Sequence, residues 1–525
     1  MVSLLDRALL ALSPKAALQR AAQREAARMI GMRSYDGGRN SRATYGWMAG
    51  STSANAEVYG NLLALRNRAR DLVRNNPHAS KALRVLTNNI VGSGITALAR
   101  TPDAAINKKI DALWKRFVEE CDFNGQLDFY GLQRLAIRAM LEGGDTITRL
   151  RPVTNKKFAI PLKLQLLESD YLDHRKNGII EGGKRVQQGI EFDSEGQRSA
   201  YFLFRDHPGE APFNIPNSYI SDRVPASTIL HLYEIQRLGQ IRGASWFAPG
   251  MIKARELDTY EEAELVRKRI EACVAAIVIG GDDENEMGIT TSQANNGASD
   301  SGPSIVDSSG NKVEQFEPGL IAYARGGKDV KFTQPSVSRD YDAYKSSQLR
   351  SIAAAWDVTY EHLSGDLRGV NFSSIRIGLN EFRRSIEAMQ WLTAVPMFFN
   401  PVWQAFHDFA QVSGALPANT PRDVEWTMPR FESADPKTDT NSDIAGIRAM
   451  LLSPQEAIRR RGGDPDQVLK DSADWHKKLE AAGVVSDADA AQTAKPGAGI
   501  VKGAEGGQPS ETIVPPEHDD EVVAP

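Results

Sequence analysis

The sequence predicts an α+β fold, predominantly helical. Three observations lead there. The longest periodic stretches have helical period, above all between Val337 and Gly414. From Asp145 to His207 the pattern changes to short β-type runs separated by turn signals. At 525 residues the chain is also too long for one core, so two to four domains are expected.

Residues 1–59 read as a flexible arm, first Ala- and Arg-rich with an amphipathic helical pattern, then Gly/Ser-rich. Its arginines could touch a partner or nucleic acid, although an exposed arm is more simply solvated. Residues 58–91 read as a helix pair broken at Asn75-Asn76-Pro77, with Asn76 as cap and Pro77 as first helical residue. Helices are predicted at 103–120 and 128–142, the second closed by Gly143-Gly144. The runs DTITRLRPV, LKLQLLE, GIEFD and SAYFLF then form a small β-rich unit, and Thr228–Tyr233 adds a further strand.

A long helix comes next, from about Pro249 to Ile277, with Tyr260, Ala263, Val266, Ile270, Val274 and Ile277 along one side. At 1.5 Å per residue it would be about 40 Å long. Its run-out, CVAAIVIGG, fits a helix end or a strand. Residues 282–312 are polar and Gly/Ser/Asn-rich and read as a loop. Asp282, Glu284 and Glu286 alternate as in some calcium loops, but the remaining spacing is wrong for an EF-hand, and a solvated acidic loop is the better reading. Val313–Phe332 offers two strand-like pieces.

Val337–Trp356 is the next helix, and a Gly-containing segment, Leu363–Asn371, separates it from another that begins near Ser373. Ile375, Leu379, Phe382, Ile386 and Met389 recur at steps of four, three, four and three, which places them on one helix face. That stripe suits a face for a neighbouring subunit or packing within one chain. Pro396 and Pro401 are expected to bend or end the helix, with Trp391 and Trp403 in the core on either side of the break. Beyond Gly414 come a strand, DVEWTMP, and a helical stretch from Ser442 to Arg461, with a new turn at Pro454. Past about Ala482 the few large apolar residues cannot offset ordering entropy, so 482–525 is read as a disordered tail.

Composition excludes several classes. A net charge of −4 argues against tight wrapping of nucleic acid, which needs many cationic contacts to phosphate. The two cysteines, Cys121 and Cys273, form no CxxC pair and are read as buried small hydrophobes. No apolar run reaches the roughly 18 residues that span a bilayer, and Asp6 and Arg7 interrupt the N-terminal apolar patch, so no secretory signal is predicted. The default is a soluble protein in a reducing compartment. Gly-Gly-Lys at 182–184 and 326–328 lacks the rest of a phosphate-binding P-loop, and neither H-E-x-x-H nor G-x-S-x-G occurs. The histidines are scattered without ligand spacing. Gly92-Ser93-Gly94 is best taken as a turn after a helix. No catalytic residue, metal ligand or cofactor is predicted, and the balance favours a structural or binding protein over an enzyme.

Several segments together resemble the lambda-type portal proteins of tailed double-stranded DNA bacteriophages. They are RNRARDLVRNNPHA (66–79) with IVGSGI (90–95), LGQIRGASWFAP (238–249), LRSIAAAWDVTYEHLSGD (349–366), NFSSIRIGLNEFRR (371–384) and FNPVW (399–403). The resemblance runs in order over about residues 60–470. It implies the portal fold of wing, stem, clip, tunnel helix and crown, assembled as a ring of usually twelve subunits around a central DNA channel at one capsid vertex. By that resemblance 60–248 is the wing, 249–280 the first stem helix, 281–336 the clip and 337–363 the second stem helix. Residues 364–414 hold the tunnel loop and tunnel helix, and 415–481 the crown and return to the wing.

The resemblance also implies the partners. They are double-stranded DNA in the channel, the terminase large subunit that supplies the energy, the major capsid and scaffolding proteins, and the head-tail connector proteins; no membrane is involved. The location implied is the virion, with assembly in the host cytoplasm. Arg368, Gly369, Asn371 and Arg376 are expected nearest the DNA. The rival readings are an assembly or scaffolding adaptor without a channel and a terminase-like DNA-processing enzyme.

Overall fold

A computed structural model describes residues 45–46, residues 50–280 apart from 155–156, 181 and 214–218, the strand segments 289–291, 320–325 and 329–331, residues 341–484 apart from 430 and 432–434, and the pairs 493–494 and 498–499. The chain divides into two units, Met1–Glu57 and Val58–Pro525. In the first, Thr52 Oγ1 donates a hydrogen bond to Glu57 Oε1 at 2.6 Å. The second holds the sheets and nearly all of the helices. The expected N-terminal arm, the loop at 282–312 and the C-terminal tail fall almost wholly outside the described residues.

Helices α1 (Ala54–Asn75) and α2 (Pro77–Ile90) are separated by Asn76, whose side chain accepts from Ala79 N at 2.8 Å and caps α2. After a turn through Gly92–Gly94 comes strand β1 (Thr96–Ala99). A Cβ at Gly94 would fall 2.3 Å from the Tyr130 ring, so only glycine fits that turn. Helices α3 (Ala104–Glu120) and α4 (Phe129–Gly143) are capped by Asp103 and Asp128, and Gly144 ends α4 at φ 96°. Cys121 is buried between them, and burial, the leading cause, pushes its thiol up to about 12, so it is inert.

The β-rich unit forms where the short β-type runs and turn signals predict it. Strands β2 (Asp145–Pro152), β3 (Leu162–Glu168) and β9 (Ile229–Tyr233) make an antiparallel sheet in the order β3-β2-β9. A five-stranded sheet runs in order through β4 (Gly178–Ile179), β5 (Arg185–Gln187), β6 (Ile190–Phe192), β7 (Arg198–Phe204) and β8 (Ser221–Pro225).

A buried charge network joins these layers. Asp145 accepts from Arg242 Nε, from Arg242 Nη2 at 3.3 Å, and pairs with His231 Nε2 at 3.1 Å. Arg66, almost fully buried, donates to Ser169 Oγ at 2.5 Å and pairs with Asp170 at 3.1 Å. Burial works to raise the Asp145 pKa, but Arg242 and His231 outweigh it and hold the carboxyl below the usual carboxylate range.

Helix α5 (Met251–Cys273) is about 35 Å long. It stops short of the predicted Ile277 because Val274–Gly280 becomes strand β10. That apolar, β-branched run is flanked on both sides, by β12 (Leu320–Arg325) in parallel and by β13 (Asp329–Lys331) antiparallel, while β11 (Ile289–Thr291) pairs on β12. Helix α6 (Tyr341–Ala355) returns antiparallel along α5. Lys253 Nζ meets Ser351 Oγ at 2.6 Å, the Tyr260 and Tyr344 rings lie 4.9 Å apart, and Lys345 pairs with Glu261 at 2.7 Å.

Helix α7 (Tyr360–Ser364) and helix α8 (Phe372–Met389) come next. Pro396 does not end α8. The chain continues as a π-helix, Gln390–Phe399, and then as α9 (Asn400–Val412). The wider π turn moves the carbonyl that the proline ring would strike in an α-turn, and Pro401 then sits at the N-terminal end of α9, where its missing N–H costs little. Trp403 is buried as predicted, but Trp391 is 49% exposed, since two positions past Met389 it stands off the buried stripe.

Strand β14 (Val424–Thr427) pairs with β1, Ala97 opposite Trp426. The core is rich in aromatics at this junction. Trp114 packs with ring centroids 4.9 Å from Trp403, 5.0 Å from Phe406 and 5.3 Å from Phe129. Three helices follow: α10 (Pro436–Arg448), α11 (Pro454–Arg460) and α12 (Pro465–Ala482). The first starts six residues before the predicted Ser442, at a Pro behind an Asp435 cap, and α12 has no counterpart among the predicted helices.

Candidate tunnel loop and tunnel helix

The loop between α7 and α8 is held by a latch at the base of the α5–α6 pair. Trp246 Nε1 donates to the Trp356 carbonyl at 2.8 Å, and Trp356 Nε1 donates to the Phe247 carbonyl at 3.1 Å. Trp356 is fully buried, and a Cβ at Gly250 would lie 2.6 Å from its indole nitrogen, so the start of α5 must be glycine to admit it. Asp357, at φ 53°, turns the chain, and Thr359 caps α7 by accepting from His362 N at 3.2 Å. Leu363 is buried and Gly365, left-handed at φ 76°, ends the helix.

The predicted site residues lie just beyond. Asp366 accepts from Arg368 N at 3.0 Å and from Arg368 Nη2 at 2.8 Å, and Asp342 lies 3.5 Å from the same Nη2. The Arg368 side chain is 75% exposed, yet its charge is opposed by two carboxylates. Hydrogen bonds from Arg368 hold the Asp366 carboxyl below its ordinary range, and Asp366 in turn raises Arg368. Gly369 is left-handed at φ 72° in open space. The carbonyl of Asn371 accepts from Ile375 N and from Ser374 Oγ, both at 3.1 Å, at the start of α8.

Arg376 does not project freely from α8. Its Nη2 donates to Asp439 Oδ1 at 2.9 Å, which ties this helix to α10. The apolar stripe divides. Phe382, Ile386 and Met389 are buried in this chain's own core, whereas Ile375 and Leu379 are half-buried. Further along, Gln390 is fully buried and donates through Nε2 to the Ile90 carbonyl at 2.7 Å, which links the start of the π segment to the end of α2. Sequence reasoning missed this bond, the Trp246–Trp356 latch and the Asp366 clamp. The Asp-x-Arg spacing was the one local signal for the clamp.

No helix among the described residues is long and apolar enough to cross a membrane. Among them, Glu168, Asp170 and His207 stand within metal-ligand reach of one another. Arg70 already bridges both carboxylates, at 2.6 Å to each, and Arg66 reaches Asp170, so the cluster is an ion-pair network rather than an open site.

The family model "Phage portal protein, lambda family" matches residues 40–390. The probable portal protein of Halomonas phage phiHAP-1 is 26% identical over 472 residues, covering 86% of this chain and 88% of its own length. Portal protein B of Escherichia phage lambda is 23% identical over 390 residues, covering 67% of this chain and 71% of its own. A solved neck of an empty gene transfer agent particle gives a TM-score of 0.41 at 14% identity, covering 77% of this chain and 94% of that one. The curated relatives carry the name of a structural virion component, not of an enzyme. The family model spans two thirds of the sequence, and the chain belongs to the lambda family of phage portal proteins.

Proposed function

We propose that this portal protein assembles as a closed ring of twelve copies at one capsid vertex, with double-stranded DNA passing through its centre during packaging and ejection. Family membership carries the reading. A neck of a native gene transfer agent particle computed with C12 symmetry is among the structural matches and suggests the copy number. The α5–α6 pair, with strands β10–β13 between its far ends, suits a stem with the clip at its tip. There the terminase large subunit would dock during packaging and the head-tail connector proteins afterwards. Major capsid and scaffolding proteins would meet the ring as it is built in the host cytoplasm.

The loop at 365–371 and α8 would form the tunnel loop and tunnel helix. A DNA conduit works best with weak contacts, because each neutralised phosphate adds affinity and salt dependence around the whole ring. The Asp366 clamp on Arg368 suits that requirement, since it leaves the loop close to neutral while a cation stays exposed.

The test is the mass of the purified protein with negative-stain images of the same sample. Twelve copies of 57.6 kDa come to roughly 690 kDa. Rings with a central hole at that mass support the reading. A monomer that hydrolyses ATP or cuts DNA overturns it.

A further inference from the structure

A closed ring needs two different faces on every copy, one that receives and one that inserts. Two faces of the described surface suit these roles. The receiving face is a cleft of about 390 Å³ between the loop after β9 and the π segment of the tunnel helix. Trp246, Met389, Leu392 and Met397 form its apolar wall, with Ile235 at the rim. Leu392 is 76% exposed, and Leu238, three residues beyond Ile235 on the same loop, is fully exposed. Large apolar side chains left this open mark an interaction surface. The charged groups lining the cleft are both acidic, Glu234 and Asp357. Burial, with Asp357 adding to it, raises the Glu234 pKa, against the hydrogen bond that Gln236 Nε2 donates to this carboxylate at 3.1 Å.

The inserting face lies on α4 and the segment that leads into it. Phe123, Leu127 and Leu135 are each about two-fifths exposed. Arg134 is exposed beside Leu135, Arg138 lies one turn later, and the Arg151 guanidinium is 5.1 Å from the Phe123 ring centre. Asp128 beside Leu127 and Glu142, 3.9 Å from Arg138, offset part of this charge, and the three arginines leave the face net cationic where the cleft is acidic. Complementary charge of this kind fixes register and partner.

We infer that the cleft bounded by Glu234, Ile235 and Leu392 seats the Phe123–Leu127–Leu135 face of a second copy of this chain, as the repeating contact of the ring. The inference rests on the ring reading above. Because the two faces differ, the contact is heterologous and propagates until the ring closes.

The experiment uses the full-length protein. Wild-type protein is first imaged and weighed; if it forms no rings, the ring reading and this contact both fail. If rings form, Ile235→Cys and Leu135→Cys are combined in one chain and oxidised. The contact predicts a disulfide ladder of rising multimers on a non-reducing gel, absent from either single variant. Glu234→Lys is expected to abolish rings while the monomer keeps its wild-type circular dichroism and melting temperature, and Arg134→Glu with Arg138→Glu to restore them in the same chain. Rings that persist in Glu234→Lys, or rings without a ladder in the double cysteine variant, overturn the contact and leave the ring standing. If Glu234→Lys loses its fold along with its rings, the ladder alone decides, its presence supporting the contact and its absence overturning it.

Discussion

Replacing Asp145 by Asn tests whether the buried charge network holds the β-rich unit on the helices around it. Asp145 and Arg242 are both essentially fully buried, and Asp145 is the anion against Arg242 and beside His231. Arg242 Nη1 already lacks a partner among the described residues, so the neutral amide leaves a buried cation uncompensated. Removing one partner of a buried ion pair costs about 3–5 kcal/mol. In a chain of this size each kcal/mol moves the melting temperature by about 2–4 °C, so a fall on the order of 10 °C is expected. Thermal unfolding followed by circular dichroism at neutral pH reads it. Exchanging both partners for apolar residues, Asp145→Leu with Arg242→Met, should recover much of the loss, because no charge is then stranded. The reasoning is refuted if Asp145→Asn melts within a degree or two of wild type, or if the double variant is worse than the single.

Gly243→Ala should fail to fold or lose at least about 3 kcal/mol, since its Cβ would stand 1.9 Å from the Gly144 carbonyl oxygen; yield and melting temperature decide it. Arg368→Ala should leave the melting temperature unchanged, because the side chain is exposed, while altering packaging, genome retention or ejection; unchanged behaviour in all three removes its special role. Asp366→Asn should act in the opposite sense by releasing the Arg368 charge, making DNA retention more salt-dependent. His407 is fully buried with neither ring nitrogen partnered among the described residues, and burial, with Arg422 nearby, lowers it to about 4 from 6.5. The unfolded chain therefore takes up the proton first. Stability is full above about pH 6.5 and falls by up to about 3 kcal/mol towards pH 4, and His407→Leu should flatten that part of the pH profile.

What could be read in the sequence was local. The Asn76-Pro77 break, the Gly143-Gly144 stop and the short β-type runs of β2, β3, β6 and β7 carry their own signals within a few residues. The unread features depend on residues far apart. Nothing near Trp356 announces that Trp246, 110 positions earlier, will donate to its carbonyl. Proline rules written for α-turns did not anticipate a π segment that admits Pro396. Helix α12 was missed because its apolar residues are few and mostly exposed; its signals are the Asp464 cap and Gly483 at φ 65°. At the loop between α7 and α8 the sequence indicated which cation is exposed but not that Asp366 and Asp342 oppose it.

The pairing of β1 with β14 has a consequence during synthesis. Trp114 and Phe129, made early, are covered by Phe398, Trp403, Phe406 and Trp426 near the other end of the chain. At about 5–20 residues per second the ribosome needs on the order of 15–60 s to travel from Trp114 to Trp426. For that interval the first helices carry an aromatic surface whose cover does not yet exist. The nascent chain is then a substrate for chaperones and exposed to premature association with its sisters. A message that stalls or is truncated before residue 424 leaves β1 without its partner strand and this aromatic core without its cover.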